Sequence, residues 1–131
     1  MTILLDSSVL IDALNHRKGR QEFLHELVSR TDRLACCAVT VAEIHAGMRP
    51  EEARDTEELL NSLDYVDISR NAARRAGALK RVWAKKGVTI ALPDVLIAAV
   101  AIEHGLALAT DNRKHYPMPE LRLIDLPEPP R

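Results

Sequence analysis

Short unbroken apolar runs alternate along this chain with stretches whose apolar residues recur every three or four positions. The first run, Ile3-Leu4-Leu5, stops at Asp6, and Ser7 and Ser8 then open a helical pattern through Val9, Leu10, Ala13 and Leu14. Phe23, Leu24, Leu27 and Val28 repeat the helical spacing until Thr31-Asp32-Arg33 breaks it. Residues 34–39 read as a buried strand, Thr40 as the start of a helix through Ile44 and Met48, and Pro50 as the first-turn residue of another. Residues 65–68 fit a short strand. A long helix over 69–86 carries Ala72, Ala76, Leu79 and Trp83 on one face, and Gly87 ends it. Pro93-Asp94 opens an apolar helix that Glu103-His104-Gly105 closes; residues 106–109 are a strand, 110–119 a loop and 121–126 a last strand. Strands separated by helices predict an α/β sandwich with a mainly parallel central sheet flanked by helices. In such sheets ligands gather beyond the carboxyl ends of the strands.

The 131 residues make a single domain over 1–131, with the Pro-rich residues 127–131 expected to fray. Lys and Arg number 18 against 19 Asp and Glu, which excludes a bulk-basic nucleic-acid binder but leaves room for a local basic face. No apolar run approaches the ~20 residues that a bilayer crossing needs, so no membrane partner is expected. The start of the chain lacks the basic region of a signal peptide, and cytoplasmic residence is the expectation. Cys36 and Cys37 are adjacent, which suits neither a disulfide framework nor a metal knuckle.

Four acidic residues fall where elements change: Asp6 after the first strand, Glu43 in the helix after the second, Asp94 at the start of the apolar helix, and Asp111 after the strand over 106–109. With parallel strands all four converge at one sheet edge, where their mutual repulsion calls for a cation between them. Hard oxygen donors completed by water suit Mg2+ or Mn2+, and such ions activate water for phosphodiester hydrolysis. Each residue also has a plain structural explanation. Asp6 or Ser7 can cap the first helix; Thr40 and Glu43 have capping-box spacing; the helix dipole favours Asp94; and Asp111-Asn112 suits a turn.

Residues 3–12, ILLDSSVLID, resemble the opening of a PIN-domain ribonuclease. Thr40-Val41-Ala42-Glu43 is similar to its second acidic motif, Leu92-Pro93-Asp94-Val95 to the third, and Leu108-Ala109-Thr110-Asp111-Asn112 to the fourth. The blocks follow the family's order across residues 3–116, and their wording is most similar to VapC toxins of bacterial toxin–antitoxin pairs. The resemblance implies a PIN-like three-layer sandwich and a Mg2+-dependent endoribonuclease in which Mn2+ can replace Mg2+. It also implies a VapB-like antitoxin partner and a homodimer. Asp6 and Asp94 would be the main metal ligands, with Glu43 completing the cluster. In the fourth motif Asn112 falls on the family's acidic or amide position, Asp111 stands where Arg is usual, and His115 stands where many members have Asp. Either Asp111 or Asn112 would then assist the metal-bound water.

Ser7 and Thr110 are candidates to orient a carboxylate or phosphate, and His115 to reach a scissile phosphate, beside their plainer roles as caps and a solvated loop residue. Arg70, Arg74, Arg75, Lys80, Arg81, Lys85 and Lys86 form a solvated face that, with Arg113 and Lys114, could follow an RNA backbone. The chain has only four aromatic residues, which argues against base stacking as the main mode of recognition. Two rival functions fit parts of this pattern. A phosphatase of the haloacid-dehalogenase type would need a second Asp at the position of Ser8. A non-catalytic RNA-binding or scaffold domain would keep the fold without the chemistry, and the irregular fourth motif is the feature in its favour.

Overall fold

The computed structural model describes residues 1–128, so residues 129–131 of the expected frayed tail lie outside the described part. Five strands form one sheet in the order β3-β2-β1-β4-β5: β1 Thr2–Leu5, β2 Arg33–Cys37, β3 Asp64–Val66, β4 Ala107–Ala109 and β5 Leu123–Ile124. Every pairing is parallel, with Ile3 opposite Leu34 on one side and Ala107 on the other. The helices are α1 Ser7–Leu14, α2 Arg20–Ser29, α3 Ala38–Gly47, α4 Ala53–Asn61, α5 Arg70–Lys85 and α6 Leu92–His104. None is long and apolar enough to cross a membrane among the described residues.

Strands covered on both faces need apolar residues at every position, which is why they read as unbroken runs. Successive residues of β1 go to opposite layers. Ile3 and Leu5 join Val9, Leu10, Phe23, Leu24, Leu27 and Leu60 beneath α1, α2 and α4. Leu4 joins Ala72, Ala76, Ile97 and Val100 beneath α5 and α6. The result is the expected three-layer sandwich. Burial in this core pushes the Cys36 thiol up to about 11, so it remains protonated at neutral pH.

Several boundaries differ from the sequence reading. β2 ends at Cys37, and α3 begins at Ala38 without a side-chain cap. Thr40 therefore lies inside the helix, buried, with Oγ1 donating to the Leu5 carbonyl at 3.4 Å. The Thr40–Glu43 capping box does not form, because Thr40 serves the neighbouring strand instead. Pro50 opens a 3₁₀ turn, Pro50–Glu52, ahead of α4. β3 and β5 are shorter than their apolar runs, and the loop after β4 contains a second 3₁₀ turn, Arg113–His115. Within the basic face, Lys80 turns inward to donate to the Ile90 carbonyl, and Lys86 lies 4.4 Å from the centre of the Trp83 ring. Pro127 is anchored: its carbonyl accepts from Arg20 at 3.0 Å.

Candidate active site

From β1 the chain proceeds outward to β2 and β3, then returns to β1's other side for β4 and β5. The switch point lies between β1 and β4, and in such sheets ligands gather beyond the carboxyl ends of the strands there. Asp6 follows β1 directly, and its N–H continues the sheet by donating to the Ala109 carbonyl at 3.0 Å. Its side chain is fixed on both oxygens. Oδ1 accepts from the Ser7 N–H at 2.8 Å, capping α1, and Oδ2 accepts from the Thr110 hydroxyl at 2.6 Å. Thr110 is itself steadied by the Asn112 N–H, which donates to its Oγ1 at 3.0 Å.

Glu43 arrives from α3 and accepts from the Ser7 hydroxyl at 3.2 Å. Glu43 is exposed, yet partial desolvation of its carboxyl, reinforced by the charges of Asp6 and Asp94 and opposed by the Ser7 bond, raises its pKa above the ordinary glutamate value. Asp94 stands in the first turn of α6, where Pro93 is well placed because its missing N–H costs nothing. Its Oδ1 accepts from the Tyr116 hydroxyl at 3.2 Å, and Oδ2 lies 3.4 Å from His115 Nδ1. Burial raises its pKa, with His115 and Tyr116 opposing and Asp6 adding to the rise. Burial and the three acidic charges also hold the Tyr116 hydroxyl firmly protonated, so it acts as a donor.

Asp6, Glu43 and Asp94 are thus close enough to feel one another. Asp111 is held apart from this group. Its carboxylate receives Arg20 Nη2 at 2.6 Å and Nε at 3.5 Å, and Arg20 is 2% exposed. The exposed Asn112 contributes its backbone N–H to Thr110. Sequence reasoning missed two participants. Tyr116 counts in the sequence only as one of four aromatic residues, and only its position next to His115 hints at more. Arg20 carries no signal, because its partner is 91 positions away.

Whether these residues suit a divalent cation depends on the donor set. The donors are carboxylate oxygens, hard and negatively charged, as Mg2+ and Mn2+ require. Among the described residues no three His, Cys, Asp or Glu side chains stand together as a ready-made cage. Mg2+ does not need one, since it keeps several waters and is commonly held by one or two carboxylates. Asp6 and Asp94 fit that requirement.

The parallel sheet and the acidic residues at its switch point are those of a PIN domain, and the PIN domain family matches residues 3–121; the chain belongs to that family. It is similar to ribonuclease VapC10 of Mycobacterium tuberculosis, 40% identical over 117 residues that span 88% of this chain and 86% of the relative. Among solved structures it is similar to VapBC2 from Rickettsia felis bound to a promoter DNA fragment. That match has a TM-score of 0.82 and 25% identity, and covers 97% of this chain and 100% of the other. VapBC-1 from nontypeable Haemophilus influenzae gives a TM-score of 0.80 at 25% identity, covering 95% and 98%.

Proposed function

We propose that the chain is a Mg2+-dependent endoribonuclease that hydrolyses RNA phosphodiester bonds and serves as the toxin of a bacterial type II toxin–antitoxin pair. The observation that carries this reading is that Asp6, Glu43 and Asp94 stand at the switch point near enough for the charge of Asp6 to act on the other two and that of Asp94 on Glu43. Among the described residues, no Lys or Arg forms an ion pair with any of the three, and their only ionic partner is His115 beside Asp94. Relatives named ribonuclease VapC support RNA as the substrate, and neighbours solved as VapBC assemblies support a VapB-like antitoxin as the partner.

In this reading Asp6 and Asp94 hold the ion and Glu43 completes the acidic set. When bound, Mg2+, or Mn2+ in its place, supplies water activation and charge stabilisation at the scissile phosphate. Ser7 and Thr110 keep the Asp6 carboxylate in one orientation, and Tyr116 does the same for Asp94. Glu43 binds Ser7 through Oε1 and has a raised pKa, so Oε2 can take a proton from the attacking water. With water and not the ribose 2′-hydroxyl as nucleophile, the products carry 5′-phosphate and 3′-hydroxyl ends.

The test is RNA cleavage by the purified chain. EDTA should stop it, and Mg2+ or Mn2+ should restore it. Asp6→Asn and Asp94→Asn should each abolish cleavage without unfolding the protein, as judged by circular dichroism. Full cleavage in EDTA, or 2′,3′-cyclic phosphate ends, would refute the mechanism. The tie between Asp111 and Arg20 favours a second reading, an RNA-binding or scaffold domain without catalysis; RNA binding with no metal-dependent cleavage would establish it. We also expect a homodimer acting in the cytoplasm, since two-fold assemblies are the commonest oligomers. Light scattering that finds a monomer at high concentration would remove the dimer.

A further inference from the structure

His115 and Tyr116, consecutive at the end of the second 3₁₀ turn, address the two oxygens of Asp94 separately: the Tyr116 hydroxyl donates to Oδ1, and His115 Nδ1 lies 3.4 Å from Oδ2. The His115 side chain is 45% exposed and that of Asp94 19%, so the imidazole reaches from the solvent side over a carboxylate that is mostly covered. Tyr116, 3% exposed, anchors the turn from below. Imidazole and carboxylate therefore meet on the solvent-facing side of the site.

Two donors each about 2.1 Å from one ion, and at right angles, stand about 3 Å apart. The separation of Nδ1 from Oδ2 is within a few tenths of an ångström of that spacing, so a small rotation of an exposed ring lets both grip a single cation. The two donors differ in kind. Carboxylate oxygen suits Mg2+, whereas imidazole nitrogen is a softer donor, and affinity for nitrogen-containing sites rises from Mn2+ through Co2+ to Ni2+. We propose that His115 is a nitrogen ligand to the cation held by Asp94, and that it makes this chain bind Mn2+ or Co2+ in preference to Mg2+. The inference rests on the metal-site reading above and deepens it by naming the ion that the site selects. Mg2+ remains usable where it is abundant.

The experiment uses the full chain, freed of metal, in buffer alkaline enough to keep imidazole neutral. Mn2+ and Mg2+ affinities are measured by titration calorimetry, and the Mn2+-loaded protein is examined by pulsed electron paramagnetic resonance for nitrogen hyperfine coupling. Wild type should show the coupling, and His115→Ala should lose it together with about tenfold or more of its Mn2+ affinity, the least that neighbours of a bound metal command. The loss of Mg2+ affinity should be smaller. His115→Asp, which offers oxygen in place of nitrogen, should also lack the coupling but recover Mg2+ affinity. His115 is half-exposed on a turn, so neither variant threatens the fold. Mn2+ bound without nitrogen coupling, at an unchanged Mn2+/Mg2+ affinity ratio in His115→Ala, would overturn the proposal and leave Asp6 and Asp94 as the site. Failure of wild type to bind Mn2+ would overturn both.

Discussion

Asp6 serves the backbone and the crevice with one carboxylate. Oδ1 caps α1, Oδ2 ties β1 to the residue after β4, and the charge still faces Glu43 and Asp94. The cost of desolvating the Glu43 carboxylate, with the charges of Asp6 and Asp94 adding to it, should be measurable. Its folded-state pKa is raised, so its contribution to stability is fully present below the unfolded value and is lost as pH rises through the folded one. Glu43→Gln should therefore raise the melting temperature of the metal-free chain slightly at neutral pH, the effect being kept small by solvent screening of this exposed carboxylate. The difference should vanish below the carboxylate range, and a pH series of thermal melts in EDTA would check it. Asp111 makes the opposite case. Removing it by Asp111→Ala leaves the Arg20 guanidinium buried without its countercharge, at a cost of about 3 kcal/mol. Metal affinity should be unchanged, because Arg20 already engages that carboxylate. Urea denaturation and Mn2+ calorimetry on the same variant would separate the two effects.

At the scale of elements, local pattern carries far when the cause is itself local. The run Ile3-Leu4-Leu5 announces a doubly covered strand. Ser69 caps α5 by accepting from the Ala72 N–H at 2.9 Å, and Gly87 and Gly105 end α5 and α6 with φ of +82° and +63°. Asp6 and Asp94 were legible for the same reason, each lying at the start of a helix, whereas Glu43 stands in the second turn of α3 and was legible from its motif. What was not legible depends on distance. Thr40 has the spacing of a cap, but the Leu5 carbonyl 35 positions earlier claims its hydroxyl. No pattern within the fourth motif reveals that Arg20 will claim Asp111. The small face of α5 was legible and is confining: Ala72 and Ala76 are 1% and 0% exposed in the layer shared with α6. Ala76→Leu should cost about 1–3 kcal/mol by overpacking. By shifting α6 it should also weaken Mn2+ binding through Asp94; denaturant melts and calorimetry would show whether the two losses travel together.

For the whole molecule, Arg20 joins distant parts of the chain. It takes the carbonyls of Lys18 and Pro127 and the carboxylate of Asp111, so the start of α2, the loop after β4 and the C-terminal segment meet on one guanidinium. Truncation after Leu126 removes one of these acceptors and should cost about 1.5 kcal/mol, the scale of a hydrogen bond from a charged donor; comparison of urea midpoints would test it. The strand order also sets a schedule. Asp6 comes near the start of the chain, but the Thr110 that orients it follows 104 positions later, and β4 must settle beside β1 before the two can meet. Contacts so far apart in sequence form late, after the cost of closing the loop between them. On the reading proposed above, a nascent chain, or one cut before β4, should therefore be chemically mute with no inhibitor needed, until its last quarter has been made and folded.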